Sequence, residues 1–234
     1  MAVSKKTKAV KKVLSPEEEI QVRFEKATVL YLNSKLKPCM DACGVALGNA
    51  PEHIGFLNLL ATAHWRKGNL DEHIKFAEQA NAIEENEPSK KLLAIAYSQK
   101  NGKEQESLKR FSECLEAAPD DCDLLKYRAL TYVRLEELQG LPPSVKEKYM
   151  LKADQDLNAI MNIVGDSDAD MHYLTLYHRS FAQLYLLKYM NAKIDAERAL
   201  ISFENEKDPL KKDKNIIKEI KVHLRKAITE MKNQ

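Results

Sequence analysis

The sequence predicts an all-α chain built by repeating one helical hairpin, and three observations predict it. Lysine, glutamate, leucine and alanine are abundant in the 234 residues, while only seven glycines and eight prolines are available for turns, a composition that favours helix. Small and bulky side chains recur with a period of 34 residues, and a fixed period of that length marks a repeat architecture. One of the scarce glycines, Gly68, sits in HWRKGNLDEHIKFAEQA (residues 64–80) between two helical runs, where Lys67-Gly68-Asn69 supplies the turn of a hairpin.

Residues 1–14 carry five lysines and no acid, without an apolar stripe, and read as a basic disordered tail. Folding is predicted to start at Ser15-Pro16-Glu17-Glu18. There the Ser15 hydroxyl can accept the Glu18 N–H, the Glu18 carboxylate can reach back, and proline takes the first helical position. With Ile20 as the first place, five units cover 20–53, 54–86, 87–121, 122–168 and 173–206.

The eighth place holds Ala27, Ala61, Ala94, Ala129 and Ser180, all small, as the close approach of two helices requires. The eleventh holds bulky Leu30, His64, Tyr97 and Tyr132. Places 20, 24 and 27, on the second helix of each unit, are small or apolar: Cys39, Cys43 and Ala46; His73, Ala77 and Ala80; Ser107, Phe111 and Cys114; Ala153, Leu157 and Ile160; Ala192, Ala196 and Ala199. Pro51 and Pro119 end second helices. The fourth unit holds about twelve residues more than the pattern allows. Gly140 and Pro142-Pro143 predict a loop there, an insertion near 138–148. Residues 209–232 predict an amphipathic helix with Ile216, Ile217, Ile220, Leu224 and Ile228 on one stripe, suited to cover the apolar face at the end of a stack.

This pattern resembles the tetratricopeptide repeat family, most closely in KGNLDEHIKFAEQA (67–80) and YMNAKIDAERAL (189–200), over roughly residues 20–206. The resemblance implies antiparallel helix pairs stacked into a right-handed superhelical solenoid, with first helices lining a concave groove and the C-terminal helix as a cap. It also departs from the family. The aromatic favoured at place four is replaced by Arg23, Leu57, Lys90, Leu125 and Leu176, and the third unit has one extra residue in its turn at Asn101-Gly102.

By that resemblance, the groove would present Phe24, Tyr31, Leu32, Leu59, Trp65, Ile95, Tyr127, Leu130, Tyr177, Phe181 and Tyr185. So much apolar surface predicts a protein partner that lays a helix or an extended peptide in the groove. A carboxylate clamp for chaperone tails is missing: Phe24, Thr28 and Leu59 occupy its places. Asn58, Lys91 and Lys126, with Arg128, form a candidate polar groove patch and leave a co-chaperone with a nonstandard clamp as a third reading.

The chain has no H-E-x-x-H, G-x-x-x-x-G-K-[ST], G-x-S-x-G or G-x-G-x-x-G motif, so neither an enzyme nor a cofactor is indicated. Cys39, Cys43, Cys114 and Cys122 lack metal-site and disulfide-framework spacing and read as reduced core side chains, the alternative for Cys39 and Cys43 being a metal completed by His53. His64 and His73 are expected to face one another across a hairpin.

Net charge is +2, but residues 1–14 and 207–234 are both basic, the latter with nine Lys or Arg against four Asp or Glu, and leave the body at −8. Basic ends support an alternative reading as an RNA- or ribosome-associated factor. There is no apolar run long enough to span a bilayer and no secretory signal, so the expected location is cytoplasmic, or nuclear if the lysine-rich tail is read as an import signal.

Overall fold

The computed structural model describes residues 14–137, 140–165, 173–206 and 214–233. Within them are eleven α-helices, packed sequentially in pairs, and no strand. The tail to residue 13, residues 138–139 of the predicted insertion and residues 209–213 of the predicted terminal helix lie outside the described residues. The chain divides into two compact units, Met1–Leu92 and Leu93–Gln234.

The first unit contains α1 (Pro16–Leu32), α2 (Leu36–Asn49), α3 (Ile54–Arg66), α4 (Leu70–Ile83) and the start of α5 (Glu87–Ser98). The Ser15 capping box forms as expected: Glu18 N–H donates to Ser15 Oγ at 3.1 Å and Ser15 N–H to Glu18 Oε2 at 2.8 Å. His53 performs the same task for α3, its Nδ1 accepting from the Phe56 N–H at 3.3 Å. Ala27, Cys39, Cys43, Ala46, Phe56 and Leu60 make the core, with Phe24, Tyr31 and Leu59 packed against it. Burying a side chain like Phe56 contributes on the order of 2–3 kcal/mol. Burial also raises the thiol pKa of both Cys39 and Cys43, so these are inert packing groups.

The second unit continues with α6 (Glu104–Ala117), α7 (Cys122–Glu137), α8 (Pro143–Val164), α9 (Tyr173–Tyr185), α10 (Tyr189–Asn205) and α11 (Lys214–Lys232). Asp121 starts α7 by accepting the Asp123 and Leu124 N–H groups at 3.0 and 3.1 Å. First helices touch one another, α7 to α9 and α9 to α11, whereas α8 and α10 do not touch. The residues from 143 onward, expected to loop, instead lengthen α8 to 22 residues against 14 for α6. Proline is compatible with the first helical turn, so Pro143 starts a helix rather than preventing one. The terminal helix packs as expected: Ile220 is fully buried with Tyr173, Leu176 and Phe203, and Ile216, Ile217 and Leu224 flank them.

The periodic places all behave alike. Ala27, Ala61, Ala94, Ala129 and Ser180 are 0% exposed, and the fifteen residues at places 20, 24 and 27 are at most 5% exposed. Methyl-sized side chains let the helix axes approach and larger ones fill the space between layers. The turns repeat as well. Ser34, Gly68 and Leu187, all at place fifteen, have φ of 58°, 76° and 58°. The next N–H in each case returns to the residue five before it: Lys35 to Leu30, Asn69 to His64 and Lys188 to Gln183, at 2.8–3.0 Å. This is the Schellman closure of a helix. Gly102, displaced by the extra residue of its turn, has φ 82°.

Candidate partner-binding faces

In the first unit, the face of α1 and α3 is partly tied into the core. Phe24 meets Phe56 edge-on at 5.4 Å and His53 at 5.6 Å. Tyr31 lies under the Arg66 guanidinium, 4.4 Å from the ring centre. Burial raises the Tyr31 hydroxyl pKa and Arg66 opposes the rise. Leu59 and Trp65 are half-buried, and Leu32 is 71% exposed. Asn58 donates to Ser89 Oγ at 3.3 Å, and Lys91 is half-buried.

His64 and His73 do not bond to each other. His73 is fully buried and donates from Nδ1 to the Ala61 carbonyl at 3.0 Å, while its ring stacks 6.2 Å from Trp65. His64 stacks on Phe76 at 5.5 Å and lies 3.4 Å from the Asn69 amide. Desolvation lowers the pKa of both rings, and for His73 the neighbouring His64 adds to the effect, so two charged rings side by side are disfavoured.

In the second unit, Tyr127, Leu130 and Tyr185 are half-buried on their first helices. The Lys126 ammonium lies 5.1 Å over the Tyr127 ring and pairs with Asp123 at 2.8 Å. Ile95 is not available: it is 5% exposed within a wholly buried run, Leu93–Ser98. Arg128 does not join the polar patch, because it turns to Asp156 of α8. Tyr177 and Phe181 are half-buried, with one side of each taken by the chain itself. His223 of α11 stacks on Tyr177 at 5.1 Å and 7° and reaches Phe181 at 5.6 Å. The Tyr177 hydroxyl donates to Glu219 and Ser180 Oγ lies 3.1 Å from His223 Nδ1. Burial lowers the pKa of His223 to about 4, so the ring is neutral at pH 7. The apolar stripe of α11 was legible as a cap, but nothing in its period showed that a histidine on its flank would stack on these two aromatics.

Among the described residues no group of three His, Cys, Asp or Glu side chains could hold a metal, and no helix is long and apolar enough to cross a membrane.

Solved structures share this arrangement. A thermophilic tetratricopeptide protein of Thermus thermophilus, TTC0263, superposes with a TM-score of 0.58 at 14% identity, over 90% of this chain and 99% of its own. The chain has the tetratricopeptide-repeat fold. MamA, at 12% identity, gives a TM-score of 0.58 over 80% of this tetratricopeptide-repeat chain and 93% of its own. YrrB, described as a tetratricopeptide protein with an unusual peptide-binding site, gives 0.56 at 13% identity over 79% and 86%. No protein-family model matches the sequence, and no curated protein matches it. At these identities the likeness speaks for backbone architecture, and function has to be argued from side chains.

Proposed function

We propose that this tetratricopeptide-repeat chain is a non-enzymatic protein-interaction scaffold, an adaptor, assembly factor or complex subunit of the cytoplasm. Its first-helix faces take an apolar or amphipathic segment of a partner protein. The observation that carries the reading is the half-buried apolar surface at Tyr31, Leu59 and Trp65 in one unit and Tyr127, Leu130 and Tyr185 in the other, with Leu32 71% exposed beside Tyr31. Aromatic side chains of this kind anchor interfaces because they offer large area at small entropic cost. The peptide-binding description of YrrB is in keeping with it. Tyr177 and Phe181, equally half-buried, already carry the His223 ring of α11 and are left out of the proposed contact surface.

The test is affinity capture from cell extract with three forms of the full chain: the wild type, a variant carrying Trp65→Ala, Tyr127→Ala and Leu130→Ala, and one lacking residues 1–14. Circular dichroism checks that all three remain helical. Partners lost only with the first-helix variant are the expected result. Partners that persist there, and vanish instead with the tail deletion or in high salt, would transfer the function to phosphate contacts by the basic ends, since those weaken steeply with ionic strength.

A further inference from the structure

On the opposite side of the second unit, α8 and α10 leave between them a cleft of about 610 Å³ floored by α9, within the range of ligand sites. On α9, Arg179 and Gln183 lie about 200° and 240° around the helix from Tyr177 at 100° per residue, so this surface is separate from the first-helix face. Four carboxamides line the cleft: Asn158, Asn162, Gln183 and Asn191. Gln183 occupies the eleventh place, where other units have Leu30, His64, Tyr97 and Tyr132. It is 3% exposed, and its Oε1 is buried without a hydrogen-bond partner among the described residues. A buried acceptor left unmet is destabilising, and a ligand donor would recover that loss.

The chemistry of the lining narrows the ligand. The two arginines of the lining face its aspartate: Arg179 donates from Nε to Asp195 Oδ2 at 2.6 Å and from Nη1 to Asn158 Oδ1 at 3.2 Å, and Arg198 lies close enough to Asp195 to stabilise its carboxylate. Among the described residues no aromatic ring lines the cleft to stack on a sugar or base. Beside these charged groups the polar lining is four carboxamides, which carry carbonyl and NH2 groups complementary to a peptide group, the Asn158 carbonyl being already shared with Arg179. A helix has already spent its main-chain groups internally, whereas an extended chain presents them. Met161 and Ile194, the latter 44% exposed, provide apolar ground for its side chains.

We propose that the cleft between α8 and α10 is a second peptide site, which holds an extended, uncharged polypeptide segment by its main chain through Asn158, Asn162, Gln183 and Asn191. This surface is independent of the first-helix faces and can serve a different partner at the same time.

The probe is a displayed library of random twelve-residue peptides, selected against the full chain, with enriched peptides measured by calorimetry. Asn162→Ala with Asn191→Ala, both at exposed positions, is expected to weaken binding at least tenfold. Gln183→Leu is expected to weaken it similarly while leaving the melting temperature equal or higher, a combination that a purely structural glutamine would not give. N-methylation of alternate peptide amides should abolish binding. Enriched peptides that bind these variants as tightly as the wild type, or that respond only to Tyr127→Ala and Leu130→Ala, overturn the proposal, as does failure to enrich any peptide.

Discussion

The guanidinium of Arg128 holds both carboxylate oxygens of Asp156, with Nε 2.8 Å from Oδ2 and Nη2 2.7 Å from Oδ1. One hairpin later Arg179 and Asp195 make the same two-pronged contact. Both arginines stand at the seventh place and both aspartates at the twenty-third. The pair is therefore a device of these two hairpins that ties first helix to second; the same two places hold Lys26 and Ala42, Leu60 and Phe76, and Leu93 and Arg110 in the other units. The Asp156 side chain is 8% exposed and that of Asp195 1%.

Removing one partner of such a pair strands the other charge in the interior. Asp156→Ala is expected to cost about 3 kcal/mol. Arg128→Met with Asp156→Leu should cost far less than the two single changes added, because both desolvated charges leave together. Urea denaturation of the two single variants and the double measures this, and strictly additive losses would show that the residues act separately.

The turns make a prediction in two directions. A side chain at Gly68 would meet no atom within 4 Å, so only its φ of 76° opposes one. Gly68→Ala is expected to destabilise by about 1 kcal/mol. Leu187 stands at the equivalent place with φ 58° and is 67% exposed. Leu187→Gly should therefore stabilise by about 0.5–1 kcal/mol. Thermal melts of the two variants should shift oppositely, and a lower melting temperature for Leu187→Gly would mean that its side chain contributes packing that outweighs the backbone cost.

Acid should weaken the fold before its carboxylates titrate. Burial lowers the pKa of His73 to about 4, and the Nε2 of this fully buried ring has no partner among the described residues to receive a second proton. The folded pKa is below the unfolded value of 6.5, so the unfolded chain binds the proton first. Stability is full above that value and is lost as pH falls toward 4. From pH 7 to pH 5 the loss from His73 alone is about 2 kcal/mol, and His178 and His223, also lowered to about 4 by burial, act in the same direction. Denaturation curves at the two pH values, with His73→Gln expected to reduce the difference by about 2 kcal/mol, decide it; equal stability at both would contradict the assignment.

The architecture was legible because its rules are local. A methyl-sized residue at Ala27, Ala61, Ala94 and Ala129, and small or apolar ones along each second helix, determine which faces meet whatever the rest of the chain does. The Gly68 turn was legible too, since glycine advertises a positive φ, but Ser34 and Leu187 adopt the same conformation without advertising it. The ion pairs were hidden for another reason: Arg128 and Asp156 are 28 residues apart, and surface charges are common enough that two in-phase occurrences do not stand out. Among the proposed face residues, period placed Tyr127 and Leu130 on a first helix, yet could not tell that Ile95 would be enclosed or that α11 would take one side of Tyr177 and Phe181. Those outcomes depend on what packs on a helix, and period reports only which side of it a residue occupies.

An array of similar hairpins has a weakness, because each can dock on the wrong neighbour while folding. The long α8 supplies a landmark against that error. At 1.5 Å per residue it extends about 33 Å, against about 21 Å for a fourteen-residue second helix. In its added turns Tyr149 stacks on Tyr132 of α7 at 5.9 Å and accepts a hydrogen bond from Gln105 of α6 at 3.0 Å. These added turns thus reach back across their own first helix to the hairpin before, as Lys188 at the start of α10 reaches Asp154 of α8 at 2.6 Å. A fourth hairpin docked on any other neighbour would leave those turns without their seat, so the irregular unit fixes its own place in the array.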